Sequence, residues 1–298
     1  MTSTPPSRRT ALAVLLSATA LAACAPVTPL NVLSPSSTYQ LTEGVAYGTL
    51  PRQALDIYTP VIPAPAGGWP VAVFFYGGTW RDGQRKDNRF VGEALASRGI
   101  RTLVADYRLY PEVKYPTFLE DSALAVAWGL KQAARLGGNP RRLYVVGHSA
   151  GAYNAAMVAL DPRWLKAAGT TPDALAGWVG LAGPYDFYPI ENPDVMPVFD
   201  HPNYPPKSQP GEFVSERSPR TFLGSARSDK AVNPQRNTVA LGEKLKAAGV
   251  PVQVRLYKHL GHATLAATLA APLRWLAPVL DDVANFIDTG RPARRIIS

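Results

Sequence analysis

The 298-residue sequence predicts an α/β fold with a mostly parallel central sheet and helices on both of its faces. Short apolar runs alternate with segments of helical spacing, which is typical of such a sheet. One apolar run, Leu143–Val146, leads through Gly147–Gly151 into an alanine-rich stretch that ends at Leu160. Hydrophobic residues make up 46% of the chain, which is enough to fill the core of one large domain.

The elements follow in order along the chain. Gly99 ends the first predicted helix, and Gly137 with Gly138 ends the second, since glycine commonly follows a helix. We predict edge strands at 45–49 and 54–58, a central strand at 71–75, a helix over 83–98, a strand at 102–105, an amphipathic helix over 117–136, the strand and helix at 143–160, and strands at 178–181, 221–225 and 252–257, each of the last three followed by a helix.

Residues 183–219 interrupt this alternation because they are rich in proline and in tyrosine and phenylalanine. Proline prevents long regular structure, and long ordered loops over a site often serve as lids or pocket walls. We therefore predict a short cap over residues 183–219 whose aromatic side chains line a pocket. An inert surface loop is the alternative. Trp80 could also line the pocket, although packing in the core is an equal alternative.

Ser149 lies at the turn between the predicted strand and helix, with Gly147 and Gly151 on either side. The two glycines suit a crowded turn, because a Cβ at either position would clash. Such a turn exposes the serine hydroxyl, and the amide of Ala150 at the helix start points toward whatever the serine attacks. The pattern indicates a nucleophilic serine. A plain strand-to-helix turn with a serine cap is the alternative.

A nucleophilic serine needs a general base, and the chain has four histidines: His148, His201, His259 and His262. His262 follows Gly261 in a loop between the last predicted strand and the last helices, where it could turn toward Ser149. His259, at the end of that strand, is a weaker candidate. A loop histidine with only local hydrogen bonds is the alternative.

The acid that orients the base is expected after the preceding strand, where Asp229 lies. Asp186 and Asp200 are weaker candidates, because both fall in the irregular segment. Asp229 could instead cap a helix that begins near Pro234. The order serine, aspartate, histidine is one of three known triad orders and is typical of one fold.

The strand at 71–75 is followed by Tyr76-Gly77-Gly78-Thr79-Trp80. A double glycine at a strand end lets the backbone approach a ligand and present its amides, so this segment could bind the oxyanion of a tetrahedral intermediate. Each such donor is typically worth about 3 kcal/mol of activation barrier. A tight turn without this role is the alternative.

Together these segments resemble the α/β-hydrolase superfamily over residues 43–288, and in particular the esterases with a His-Gly-Gly-x-Trp oxyanion motif. That branch includes hormone-sensitive-lipase-like carboxylesterases and kynurenine formamidases. The resemblance implies that the amides of Gly78 and Thr79 join that of Ala150 in the oxyanion hole. Tyr76 stands where the family usually has histidine, a side chain thought to brace the loop.

The first 42 residues are expected to lie outside the hydrolase domain, which we place at 43–290 with a basic tail over 291–298. Residues 1–23 combine Arg8 and Arg9 with a short apolar run and predict an export signal. The ending Leu-Ala-Ala-Cys resembles the bacterial lipobox, which implies a lipid on Cys24, the only cysteine. We expect residues 24–42 to form a tether and the protein to be a cell-envelope lipoprotein on the periplasmic face of a membrane. An ordinary signal with an incidental cysteine is the alternative.

Composition narrows the possible partners. The net charge is +9, but the basic residues are scattered and form no nucleic-acid motif, so no nucleic-acid partner is expected. The sequence shows no cluster of metal-ligating residues, so we expect neither a metal nor a cofactor. We expect a serine hydrolase of small carboxylic esters, with an arylformamide or a carbohydrate-linked acyl ester as alternative substrates. A non-catalytic envelope lipoprotein that keeps the scaffold for binding is the alternative of another class.

Overall fold

A computed structural model describes residues 28–289 and shows one eight-stranded sheet in the order β1-β2-β4-β3-β5-β6-β7-β8. β2 pairs antiparallel with β1 and with β4, and the remaining pairs are parallel. The strands are β1 (Tyr39–Ala46), β2 (Ala54–Pro60), β3 (Trp69–Phe75), β4 (Arg101–Ala105), β5 (Gly138–His148), β6 (Gly177–Leu181), β7 (Thr221–Ala226) and β8 (Val252–Tyr257). The predicted mostly parallel sheet is confirmed.

The α-helices of the described residues lie before, between and after the strands. They are α1 (Thr28–Val32), α2 (Arg89–Ala96), α3 (Thr117–Gln132), α4 (Ala150–Leu160), α5 (Pro162–Ala167), α6 (Ala240–Ala247), α7 (His262–Ala267) and α8 (Val279–Thr289). All residues of β4 and β6 are buried, as are nearly all of β3, so the sheet is covered on both faces. α4 is buried along its whole length, which explains why its sequence is almost entirely apolar.

Two predicted helices differ from the structure at their ends. The segment predicted as one helix over 83–98 is a 3₁₀ turn, Arg85–Asn88, followed by the shorter α2. The helix predicted to reach residue 136 ends at Gln132. The chain reverses there through Gly137, whose φ of 71° is left-handed, and a hydrogen-bonded turn over 133–137 replaces the last helical turn.

The N-terminal predictions need correction where the structure can be described. The tether predicted for 24–42 is too long, because α1 packs on α2 and β1 begins at Tyr39. Phe90 donates its amide to Asn31 Oδ1 at 3.0 Å, which fixes α1 on the domain. The edge strand predicted at 45–49 runs instead from 39 to 46. The next residues form a turn, because the amides of Thr49 and Leu50 donate to Gln53 Oε1. The predicted signal at 1–23, Cys24 and the tail at 291–298 lie outside the described residues.

The predicted cap over 183–219 contains no α-helix or strand, only 3₁₀ turns at Met196–Phe199 and Pro210–Phe213. Its rings pack down onto Trp80, with Phe187 stacked at 6.2 Å and Phe199 edge-on at 5.0 Å between ring centroids. Trp80 is 2% exposed and donates from Nε1 to Asn154 Oδ1 at 2.9 Å, so it belongs to the core beneath the cap. The cap is therefore tied to the body of the domain by aromatic packing.

The turn from β5 to α4 holds Ser149 at φ 55° and ψ −124°. A non-glycine residue with positive φ is strained, at a cost of about 1–3 kcal/mol, and persists only where its surroundings enforce it. Both flanking glycines are enclosed by backbone: a Cβ on Gly147 would lie 2.1 Å from the oxygen of Gly151, and a Cβ on Gly151 would lie 2.1 Å from the oxygen of Phe75. The sharp turn predicted from the two glycines is confirmed.

A buried polar network holds the loop after β3. Tyr76 donates its hydroxyl to Asp106 Oδ1 at 2.8 Å and accepts a hydrogen bond from Arg52 at 2.8 Å. Asp106 also accepts the backbone amide and the guanidinium of Arg85. The ring of Tyr76 stacks on Tyr107 at 4.9 Å, and the Tyr107 hydroxyl donates to the Tyr76 carbonyl at 2.8 Å. Burial raises the pKa of Tyr76 well above its ordinary value, so the hydroxyl stays a neutral donor.

The close approach at Gly151 generates a stability prediction. Gly151→Ala is expected to lower the free energy of unfolding by about 1–3 kcal/mol, because the new methyl group must displace the backbone of β3. Gly211→Ala is the matched control, since a Cβ there would lie 3.7 Å from its nearest neighbour, Lys244 Nζ. Urea unfolding followed by circular dichroism measures both. Equal unfolding midpoints for the two variants would contradict the packing described.

The network beneath the loop generates a second stability prediction. Tyr76→Phe is expected to lower the free energy of unfolding by about 1–3 kcal/mol, because the buried carboxylate of Asp106 loses a donor. Thr238→Val is the control: it also deletes a buried hydroxyl, one without a hydrogen-bond partner in the described part of the chain. The control is expected to leave the unfolding midpoint unchanged or raised. A Tyr76→Phe variant as stable as the wild type would show that the hydroxyl does not brace the loop.

Candidate active site

Three residues predicted from separate segments meet in series at the carboxyl ends of the strands. Ser149 is on the turn after β5, Asp229 follows β7, and His262 is the first residue of α7. His262 Nε2 lies 2.8 Å from Ser149 Oγ, and His262 Nδ1 lies 2.8 Å from Asp229 Oδ2. Both distances fit hydrogen bonds. The arrangement can move a proton from the hydroxyl to the imidazole while the carboxylate faces the far side of the ring.

The weaker candidates lie elsewhere. Asp186 pairs with Arg236 at 2.9 Å, and Asp200 pairs with Lys114 at 2.6 Å, both in exposed positions on the cap. His259 is exposed and has a left-handed φ of 61° in the loop before α7.

Asp229 is held by both of its oxygens. Oδ1 accepts the backbone amides of Ala231 at 2.9 Å and Val232 at 3.0 Å, while Oδ2 faces His262. The carboxylate therefore fixes its own loop, as a capping residue would, and contacts the histidine as well. Burial raises its pKa, but the hydrogen bond and charge of His262 and the two amides outweigh burial and leave the pKa below its ordinary value. Asp229 is consequently ionised at neutral pH and acts as an acceptor toward His262.

The loop after β3 lies directly against Ser149. A Cβ on Gly77 would be 2.8 Å from the Cβ of Ser149, so only glycine allows this approach. The chain then turns through three left-handed residues, Gly78 at φ 124°, Thr79 at 52° and Trp80 at 58°, and the carbonyl of Gly78 accepts two amides further along the loop.

Three backbone amides, two in the loop after β3 and one at the start of α4, are available to a ligand. Within residues 28–289, the amides of Gly78 and Thr79 donate to no protein acceptor. The amide of Ala150 is at the first position of α4, where a helix supplies no partner. Backbone donors at a helix start and in a left-handed turn suit the binding of an anionic oxygen.

His148 contacts the site in a way that sequence reasoning missed. Its Nε2 lies 3.3 Å from the backbone oxygen of His262, and the two imidazole centroids are 5.1 Å apart. Burial, followed by the proximity of His262, lowers the pKa of His148 to about 3, so the ring is neutral at physiological pH. The residues that meet are 114 positions apart, and no short sequence pattern marks such a contact.

Within the described residues, no group of three or more histidine, cysteine, aspartate or glutamate side chains could hold a metal ion. Over the same part of the chain, no helix is both long enough and apolar enough to cross a membrane.

Solved structures share the fold of this chain at low sequence identity. A truncated carbohydrate esterase from gut microbiota has a TM-score of 0.69 and 17% identity, covering 85% of this chain and 97% of that one. An esterase from Thermogutta terrifontis with bound butyrate has a TM-score of 0.67 and 19% identity, covering 84% and 94%. The fold is the α/β-hydrolase fold that the sequence predicted.

Curated relatives extend the comparison to sequence. Carboxylesterase NlhH of Mycobacterium tuberculosis is 30% identical over 254 residues, which cover 76% of each chain. A probable isoprenylcysteine alpha-carbonyl methylesterase of Oryza sativa subsp. japonica is 28% identical over 85% of this chain. The match spans 64% of that methylesterase, and 36% of a similar one from Arabidopsis thaliana. The BD-FAE family profile matches residues 55–245, more than half of the sequence, and the chain therefore belongs to the BD-FAE family.

Proposed function

We propose that the protein is a carboxylic ester hydrolase that cleaves small esters through an acyl-enzyme formed on Ser149. The observation that carries the proposal is the unbroken series Ser149 Oγ, His262 and Asp229, with both contacts at 2.8 Å. Esterase relatives and esterase structures of the same fold support the reaction class. A shared fold does not by itself determine the reaction, so the proposed mechanism depends on this site.

The first half of the reaction forms the acyl-enzyme. Ser149 Oγ attacks the ester carbonyl carbon while its proton passes to Nε2 of His262. Asp229 accepts from Nδ1, so it holds the imidazole in the right tautomer and stabilises the imidazolium that forms. The tetrahedral carbon then expels the alcohol oxygen, which takes the proton from His262, and the acyl group remains on Ser149.

The second half repeats the same proton transfers with water. Water gives a proton to His262 and attacks the acyl carbon, and Ser149 Oγ leaves with that proton. In both halves the negative oxygen accepts hydrogen bonds from the amides of Gly78, Thr79 and Ala150. Within the described residues, no protein acceptor competes for these amides. One such donor is worth about 3 kcal/mol of barrier in comparable enzymes. No step in this scheme requires a redox change or a metal.

The cap supports a preference for short acyl groups. Phe187 and Phe199 pack onto Trp80, and Tyr153, one helical turn beyond Ser149, meets Trp80 edge-on at 5.2 Å between centroids. These rings fill the space between the cap and the first turns of α4. Structures of the Thermogutta terrifontis esterase hold bound butyrate and bound propionate, which are short acids. A carbohydrate-linked acyl ester is a second candidate, because a carbohydrate esterase shares the fold.

We also propose that Cys24 carries a lipid that holds the protein on the periplasmic face of a membrane. The sequence Leu21-Ala22-Ala23-Cys24 supports this, together with the absence of any other cysteine from the chain. Near this end of the domain, Val32 and Leu33 are 75% and 53% exposed, and they could approach a lipid surface.

Activity on p-nitrophenyl acetate and butyrate tests the proposed reaction. Ser149→Ala is expected to reduce kcat by about 10⁴-fold or more, because the nucleophile is lost. Asp229→Asn is expected to reduce kcat by about 10⁴-fold through the wrong histidine tautomer, with little change in KM.

The matched control is Ser97→Ala, which removes a hydroxyl that bonds only to Ala94 at the end of α2. It should retain wild-type kcat. Equal rates for Ser149→Ala and the wild type would refute the mechanism and favour a binding protein that keeps the hydrolase scaffold. Acetylated sugars in the same panel separate the two substrate classes.

Metabolic labelling with an alkyne fatty acid in an expressing bacterium tests the anchor. The full precursor is expected to take up label and sediment with membranes, whereas Cys24→Ala loses the label and moves to the soluble fraction. Ser37→Ala, at an exposed position before β1, is the control and should behave as the wild type. Unlabelled wild-type protein in the soluble fraction would overturn the anchor and leave the esterase proposal intact.

A further inference from the structure

His148 lies between two parts of the proposed site. It is the last residue of β5, directly before Ser149. On one side, its Nδ1 would be 3.3 Å from a Cβ on Gly77, so the ring touches the loop that carries the proposed oxyanion donors. On the other side, its Nε2 reaches the backbone oxygen of His262 at 3.3 Å.

The contact with His262 fixes where the proton of His148 resides. A carbonyl oxygen only accepts hydrogen bonds, so Nε2 of His148 must be the protonated nitrogen. Nδ1 is then unprotonated, because burial and the neighbouring His262 keep the ring neutral. His148 therefore places a neutral donor, with no added positive charge, beside the imidazole that becomes charged during the reaction.

Within the described residues, hydrogen bonds place few other restraints on the backbone of His262, while the buried side chains of Leu260 and Leu265 pack on either side of it. Hydrogen bonds of the segment 258–261 that the structure describes are local: Gly261 donates to Thr264 Oγ1 and accepts from Leu265. The helix that follows has only six residues, and His259 introduces a left-handed turn before it. The side chain of His262 contacts Ser149 and Asp229. In the described structure, the hydrogen bond from His148 is the contact that connects the backbone of His262 to the end of β5.

We propose that His148 is a positioning residue: its Nε2–H holds the main chain of His262 so that the imidazole keeps its place between Ser149 and Asp229. This inference rests on the proposed esterase function. Asp229 and Ser149 fix the direction of the ring, and His148 fixes the position of the backbone that carries it. A shift of about 1 Å in a reacting group can cost about 100-fold in rate, so loss of the tie acts on kcat.

Two kinds of substitution separate the donor from the volume of the side chain. His148→Gln retains an N–H at nearly the distance of Nε2, while His148→Leu and His148→Phe fill the space without a donor. Steady-state kinetics with p-nitrophenyl acetate give kcat and KM for each variant. His148→Leu is expected to lower kcat by about tenfold to 100-fold with KM within about threefold of wild type. His148→Gln is expected to restore kcat to within about threefold.

His259→Asn is the matched control: it removes an exposed histidine from the same loop, and asparagine tolerates the left-handed φ. It should keep wild-type kcat. Thermal unfolding and near-ultraviolet circular dichroism establish that each variant is folded, and His148→Phe replaces His148→Leu if the leucine variant does not fold.

Wild-type kcat in a folded donor-free variant would overturn the inference, as would a folded His148→Gln that loses as much kcat as His148→Leu. Either result, in a protein whose Ser149→Ala variant is inactive, leaves the esterase function standing. A wild type with no esterase activity would instead overturn the proposed function, and this inference with it.

Discussion

The strained turn at Ser149 is the constraint on which the rest of the site depends. A serine at φ 55° is stable only because β3, β5 and the start of α4 enclose it, with glycines where the backbones meet. The same enclosure brings the loop of Gly77 against Ser149 and leaves the first amide of α4 without a helical partner. The proposed nucleophile and the proposed oxyanion donors are thus positioned by one packing arrangement. Fully buried parallel strands provide the rigidity that holds this strain in place.

Around this turn, polar contacts hold the parts that the sheet does not fix. Tyr76 and Asp106 brace the loop after β3, with stacking on Tyr107 and charge from arginines. Asp229 binds amides of its own loop with one oxygen and His262 with the other. The neutral hydroxyl of Tyr76 therefore braces the loop, since it reaches the buried carboxylate of Asp106. Preorganised donors of this kind gain strength where water is excluded.

Much of the fold could be predicted because its signals are local. The turn at Ser149, the central strands and α4 follow from glycine spacing and apolar runs, and the order of strands placed Asp229 and His262 at the same sheet edge as Ser149. The predictions failed where pairing is decided at long range. β1 begins directly after the proline- and serine-rich residues 34–38, and it becomes a strand because Tyr39 and its neighbours pair with β2. The contact of His148 with His262 depends on loop geometry that no local pattern encodes.

Covalent labelling tests the central claim, that Ser149 is the activated nucleophile, most directly. A fluorophosphonate probe reacted with the intact protein, followed by peptide mass spectrometry, should give one adduct on Ser149, with ester hydrolysis lost in proportion to labelling. Denatured protein should not react, because activation requires His262 at 2.8 Å from the hydroxyl. Full activity after complete labelling, or an adduct confined to another residue of an active protein, would contradict the account.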